Sequence, residues 1–145
     1  CGWLLLMAKK NGVLFLCVAN SSRSQMAEGL AREITSGELE IFSGGSSPTS
    51  VNPAAIAVMK EIGIDIDKQH SKSIQEVPQE RIGTVITLCA EEVCPVFPAD
   101  VQKEHWPFAD PAAVRGSQEE VLAAFRQIRE QIHETLLQYF KGRPV

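Results

Sequence analysis

A cysteine and an arginine separated by five residues lie between an apolar run and an amphipathic segment. The apolar run, residues 13–17, is continuous, which is typical of a strand buried on both faces of a parallel sheet. A loop of small residues follows, and apolar side chains then recur every four positions across residues 26–34, as on one face of a helix. This order predicts that Cys17 ends a central strand and that Arg23 lies at the start of the next helix.

The rest of the chain alternates the same two kinds of segment. Further strands are predicted at 39–42, 84–88 and 104–106, and helices at 24–35, 53–62, 76–80 and 118–140. Residues 43–48 are expected to stop the second strand, and residues 90–103 to form a proline-rich loop or an irregular helix. The alternation implies a three-layer α/β/α sandwich on a four-stranded parallel sheet. Ligands of such sheets bind outside the carboxyl ends of the strands, where Cys17 and Cys89 are both expected.

Composition limits the classes of partner. The chain has 145 residues, 44% of them hydrophobic and 22% charged, and a net charge of −4. It is therefore expected to form one domain, residues 7–145, that binds neither nucleic acid nor an anionic membrane. Residues 1–6 are expected to be a cloning remnant or a mis-set start, with no role for Cys1. Because no apolar stretch is long enough to cross a bilayer, a cytoplasmic location is expected.

The loop after the first strand is predicted to bind an oxyanion. A helix start offers unpaired N–H groups and the positive end of the helix dipole, and an arginine adds a planar fork that fits a tetrahedral anion. The same field favours the thiolate form of Cys17, with Ser24 placed to hydrogen-bond the sulfur and Asn20 to hold the loop. The predicted loop residues are Val18, Ala19, Asn20, Ser21, Ser22, Arg23 and Ser24. The alternative is that Cys17 fills the core and Arg23 is a surface charge.

Two more cysteines and an aspartate accompany this loop. Cys89 follows the third predicted strand directly, and Cys94 follows it in a loop. They are core cysteines, half of a zinc site with His105, or redox thiols. A zinc site usually needs paired ligands and no second pair exists, so no metal and no cofactor are expected. Asp110 precedes a proline, which suits either a general acid or an ordinary turn.

These motifs resemble the thioredoxin-coupled arsenate reductases of the low-molecular-weight protein tyrosine phosphatase fold family. The similar segments are residues 20–29, 51–56, 85–89, 103–106 and 108–112. The resemblance implies that arsenate is the substrate, with phosphate or sulfate as competing anions, and that the activity serves arsenic detoxification. It also implies that Cys17 attacks arsenic and that Cys89 attacks Cys17 as arsenite leaves. Cys94 is then implied to attack Cys89, which gives a Cys89–Cys94 disulfide that thioredoxin reduces. Asp110 is implied as the general acid.

The sequence departs from this family pattern in two places. Ser22 stands where many relatives have a cysteine, and the gap between Cys89 and Cys94 is shorter than is common. One alternative function is a low-molecular-weight tyrosine or small phosphomonoester phosphatase, although alanines stand where phosphatases carry a tyrosine after the Asp-Pro pair. A second alternative is an oxyanion-binding module without catalysis.

Overall fold

The computed structural model describes residues 11–90 and 101–141. Within these residues, four parallel strands form one sheet in the order β2-β1-β3-β4. The strands are β1 (Gly12–Cys17), β2 (Ile41–Gly45), β3 (Ile82–Thr87) and β4 (Gln102–His105). The α-helices are α1 (Arg23–Thr35), α2 (Pro53–Lys60) and α3 (Gln118–Lys141). The predicted α/β sandwich on a four-stranded parallel sheet is confirmed, while residues 1–6, Cys1 and Cys94 lie outside the described residues.

The central strand β1 separates two apolar cores. All six of its residues are buried, because its side chains alternate between two covered faces of the sheet. Val13 and Phe15 pack with the three α-helices, whereas Leu14 and Leu16 pack with a smaller cluster that includes Val77. The continuous apolar run therefore places β1 in the middle of the sheet, with Cys17 at its carboxyl end.

The smaller core is covered by two short 3₁₀ turns, Ile74–Glu76 and Gln79–Arg81. The predicted single helix at 76–80 is wrong. Val77 precedes a proline, and such a residue is driven away from helical backbone angles; its ψ is 137°. The chain therefore makes two separate turns and then enters β3, two residues earlier than predicted.

Helix α2 is shorter than its apolar pattern predicts. Asn52 caps it, with its side chain accepting from the Ala54 N–H at 2.9 Å. The helix ends at Lys60 rather than at the predicted residue 62, and Ile62 is 38% exposed. Hydrogen bonds from Arg126 and then Arg129 lower the pKa of Glu61, which ties this end of α2 to α3.

No helix in the described part of the chain is both long and apolar enough to span a membrane.

Strand β2 continues where the sequence predicts that it stops. Residues 43–45 pair in parallel with the last three residues of β1. Their small side chains allow this pairing, because a Cβ atom at Gly45 would lie 2.4 Å from the Val18 oxygen. The glycines, interpreted as a strand terminator, instead let β2 approach the loop that follows Cys17.

We expect Gly45→Ala to lower the free energy of unfolding by about 2 kcal/mol or more, because the new methyl group collides with backbone rather than with a movable side chain. Urea denaturation measures the effect. Gly44→Ala is the matched control, since its Cβ meets nothing nearer than 3.5 Å, and a change below about 1 kcal/mol is expected there. Equal losses in the two variants would contradict this account.

Candidate active site

The loop after Cys17 turns its carbonyl groups outward. The oxygens of Val18, Ala19 and Ser21 accept hydrogen bonds from the N–H groups of residues 47, 49 and 52 at 2.9, 3.1 and 2.9 Å. In a trans peptide, a carbonyl and the N–H that follows it point in opposite directions. The next N–H after each of these carbonyls therefore points away from that segment, towards the inside of the loop. A concave set of N–H groups of this kind is suited to an anion.

Helix α1 opens directly onto this loop. Its first residue is Arg23, and within the described residues the side chain of Ser22 does not cap it. The Ser22 carbonyl accepts the first helical bond from Met26 at 2.9 Å. The first-turn N–H groups and the positive end of the helix dipole thus face the region beside Cys17. This is the geometry that the predicted oxyanion loop requires, and its role in binding stays a prediction.

Ser24 contacts the Cys17 sulfur, as predicted. The two side chains are 2.8 Å apart, and the Asn20 Nδ2 group lies 2.8 Å from the Ser24 oxygen. The Lys72 backbone N–H donates to the other Asn20 side-chain atom at 2.9 Å, so that atom is the acceptor oxygen and Nδ2 faces Ser24. Because Asn20 donates to Ser24, the Ser24 proton is left for the sulfur, and it stabilises a thiolate.

Arg23 is buried rather than a surface charge. Its side chain is 5% exposed, and Nη1 donates to the carbonyl oxygens of Phe108 and Leu88 at 2.9 and 3.4 Å. These carbonyls belong to the segments after β4 and β3, so two strand ends fix one edge of the guanidinium. The interpretation of Arg23 as a solvated charge is wrong.

Asp110 lies on the other side of the guanidinium. Its Oδ2 atom is 3.9 Å from Arg23 Nη2, and the aspartate side chain is 40% exposed. Its Oδ1 atom accepts from the Ala112 N–H at 3.0 Å, which caps the turn Pro111–Ala113. Asp110 is therefore both a turn residue and a neighbour of the arginine, with one carboxyl oxygen facing the site.

Cys89 lies at the strand end next to that of Cys17. Strands β1 and β3 pair up to Leu16 and Thr87, and the Leu88 N–H then donates to the Leu16 oxygen at 2.9 Å. Neighbouring strands are about 4.8 Å apart, so the residue after Leu88 is beside the end of β1. Both thiols are buried, with exposed fractions of 3% for Cys17 and 1% for Cys89.

Sequence reasoning missed a group of polar side chains that supports the loop between β1 and α1. Glu28 of α1 is 2% exposed. It accepts a hydrogen bond from Ser43 and pairs with Arg32 at 2.6 Å and with Lys72 at 3.5 Å. The Arg32 pair lies at helical spacing and was visible in the sequence, whereas Lys72 is 44 residues away and left no local signal.

Residues 12–142 match the family described as low molecular weight phosphotyrosine protein phosphatase. The chain belongs to this family. An arsenate reductase of Halalkalibacterium halodurans is 43% identical over 85% of this chain and 90% of the relative, and one of Bacillus subtilis is 41% identical over 88% and 93%. A solved structure, described as an arsenate reductase in the phosphate binding state, has a TM-score of 0.77 and 35% identity, over 90% of this chain and 97% of that chain.

In this member of the low molecular weight phosphatase family, no aromatic side chain stands in the turn after Asp110. The turn after Asp110 carries only proline and alanines. The single tyrosine, Tyr139, lies in α3, and its ring packs edge-on against Trp106 with centroids 5.1 Å apart. Trp106 in turn packs against the larger core. Within the described residues, no tyrosine therefore stands beside Asp110 to form a wall against a phosphotyrosine ring.

Proposed function

We propose that the chain is an arsenate reductase that converts arsenate to arsenite with its own thiols. The observation that carries the proposal is the second buried thiol, Cys89, at the strand end beside Cys17. Reduction of As(V) to As(III) takes two electrons, which two thiols supply when they form one disulfide. Relatives named arsenate reductases, about 40% identical over most of their length, support the same assignment.

Arsenate binds in the loop that joins β1 to α1. The inward N–H groups, the helix dipole and the Arg23 guanidinium compensate its charge. The Cys17 thiolate then attacks arsenic and an As–O bond breaks. Asp110, beside Arg23, is placed to protonate the departing oxygen. The product of this step is a covalent Cys17–arsenate adduct, with arsenic still as As(V).

The second step transfers the electrons. The Cys89 thiolate attacks the Cys17 sulfur, an S–S bond forms and the S–As bond breaks with its electron pair left on arsenic. Arsenic leaves as arsenite, reduced by two electrons, and each sulfur is oxidised by one. Because β1 and β3 are adjacent, the two thiols follow neighbouring strand ends, which favours their approach.

Regeneration needs a thiol that a reductant can reach. Cys89 is almost completely buried, so the Cys17–Cys89 disulfide is shielded. Cys94, which lies outside the described residues, attacks Cys89, frees Cys17 and moves the disulfide to Cys89–Cys94. A dithiol protein such as thioredoxin then reduces it. This cycle requires the reducing conditions of the cytoplasm, where we place the enzyme.

A phosphatase is the alternative within the same family. It would use Cys17, Arg23 and Asp110 in the same way but release its adduct to water, and it would give Cys89 and Cys94 no role. Two observations weigh against it as the main activity: the second buried thiol, and alanines rather than a tyrosine after Asp110. A module that only binds anions would need neither the buried thiol pair nor Asp110.

A coupled assay tests the proposal. The protein is mixed with arsenate, thioredoxin, thioredoxin reductase and NADPH, and NADPH loss is followed while arsenite is measured separately. We expect arsenate-dependent NADPH loss that matches arsenite formed, needs thioredoxin, and is inhibited by phosphate or sulfate. Hydrolysis of a small aryl phosphate without any arsenite production would assign the chain to the phosphatases. If the protein showed neither activity, a module that only binds anions would be the remaining function.

A further inference from the structure

Gln25 is a polar side chain with no exposed surface in the first turn of α1. Its Nε2 group lies 3.1 Å from the Asn20 backbone oxygen, 3.0 Å from Asn20 Oδ1 and 3.0 Å from the His70 oxygen. Its Oε1 atom accepts from Gln69 Nε2 at 2.8 Å. A buried amide with this many partners is strongly held in place, because each unmade bond would cost a desolvation penalty.

These contacts fix the orientation of the Gln25 amide. Two of the atoms around Nε2 are backbone carbonyl oxygens, which only accept, so the nitrogen of the amide must face them. The Asn20 side-chain atom that Gln25 contacts is the same one that accepts from the Lys72 backbone N–H, and it is therefore an oxygen. The orientation of both amides follows from backbone groups.

The fixed amides form one directed chain of hydrogen bonds that ends on the reactive sulfur. Gln69 donates to Gln25, Gln25 donates to Asn20, and Asn20 donates to Ser24 at 2.8 Å. Ser24 then has its proton free for Cys17, 2.8 Å away. Donors that point in one direction polarise each other, so the chain strengthens the last bond, from hydroxyl to thiolate.

Gln25 also braces the backbone of the loop. Asn20 has a φ of +50°, in the left-handed region that is uncommon for residues other than glycine, although asparagine tolerates it better than most. Gln25 bonds both the main-chain and the side-chain oxygen of Asn20, while Ser71 donates to the same main-chain oxygen at 2.6 Å. The left-handed turn and the direction of the Asn20 amide are thus fixed together.

We propose that Gln25 is a positioning residue for the Cys17 chemistry: through Asn20 and Ser24 it keeps a hydroxyl donor directed at the Cys17 sulfur, without touching the substrate. This inference rests on the proposed function only in the use of Cys17 as the nucleophile. Gln25→Met tests it, because methionine has the same length and a similar helix propensity but neither donates nor accepts as the amide does.

The measurement is the rate at which iodoacetamide alkylates Cys17 of the full chain between pH 4 and pH 10, followed on the Cys17 peptide by mass spectrometry. We expect the pH midpoint of alkylation to rise by roughly 0.5 to 1 unit in Gln25→Met. Arsenate turnover should fall at low pH and recover as the pH passes the new midpoint. A variant that is merely less stable would lose activity without this recovery. Gln127→Met, on the exposed side of α3, is the matched control and should leave the midpoint unchanged.

An unchanged midpoint in folded Gln25→Met would overturn the inference. If that variant does not fold, Gln69→Met decides, since it removes only the outermost donor: a smaller rise supports the inference and no rise overturns it. Alkylation needs no arsenate, so a shifted midpoint in a protein that makes no arsenite would refute the proposed function and leave the role of Gln25 standing.

Discussion

Replacement of Cys17 by serine is expected to abolish arsenate-dependent turnover, with a loss on the order of 10⁴-fold or more, as for other enzymes that lose their nucleophile. A serine hydroxyl stays protonated where a thiol ionises, so it is a far weaker nucleophile towards arsenic. It also has no sulfur for Cys89 to attack, so no disulfide can form and no electrons reach the substrate. The loss therefore affects both steps of the proposed reaction.

The anion site should survive that substitution. The loop N–H groups and Arg23 are unchanged in Cys17→Ser, and phosphate binding measured by calorimetry is expected to stay within a few-fold of the original. Cys1→Ser is the control for thiol loss in general and should keep full activity. Turnover in Cys17→Ser above the rate without protein would show that another group is the nucleophile.

Replacement of Cys89 by serine is expected to remove arsenite formation just as completely, for a different reason. Cys17, Ser24 and Arg23 remain, so the first attack and the slow hydrolysis of a small aryl phosphate should persist. No thiol is then placed to attack the Cys17 sulfur, and arsenic stays As(V). The coupled assay should show no arsenate-dependent NADPH loss, while phosphate-ester hydrolysis stays within about threefold of the original.

Cys94→Ser provides the matched contrast. It leaves the Cys17–Cys89 pair intact, so one arsenite per chain should form before the protein stops as a shielded disulfide. A Cys89→Ser protein that continues to turn over with thioredoxin would mean that an external thiol replaces Cys89 in the relay. Equal behaviour of the two variants would contradict the order of steps proposed here.

The sequence predicts the part of the site whose residues lie close together along the chain. The strand, loop and helix around Cys17 and Arg23 span fewer than twenty-five residues, and their apolar periodicity, small loop residues and arginine spacing each have a local physical cause. Cys89 could be predicted to lie at the same edge of the sheet as Cys17, because both follow strands of a parallel sheet and the carboxyl ends of such strands share an edge.

The supports of the loop could not be predicted in this way. Gln25 and Glu28 read as ordinary helix residues, and their importance comes from Gln69 and Lys72, each 44 residues away in sequence. Residues 43–45 read as a turn, since glycines usually end strands; only the close approach of the Val18 carbonyl explains why they continue β2. Such contacts depend on how elements pack, which local patterns do not encode.

The central claim, that the chain itself holds the two electrons for arsenate, is tested most directly in a single turnover without any reductant. The fully reduced protein is mixed with excess arsenate, arsenite is quantified, and disulfides are mapped after acid quench. We predict one arsenite per chain, the loss of two thiols, and a disulfide between Cys17 and Cys89 or, after its transfer, between Cys89 and Cys94. Absence of arsenite, or arsenite formed while all the thiols remain reduced, would contradict it.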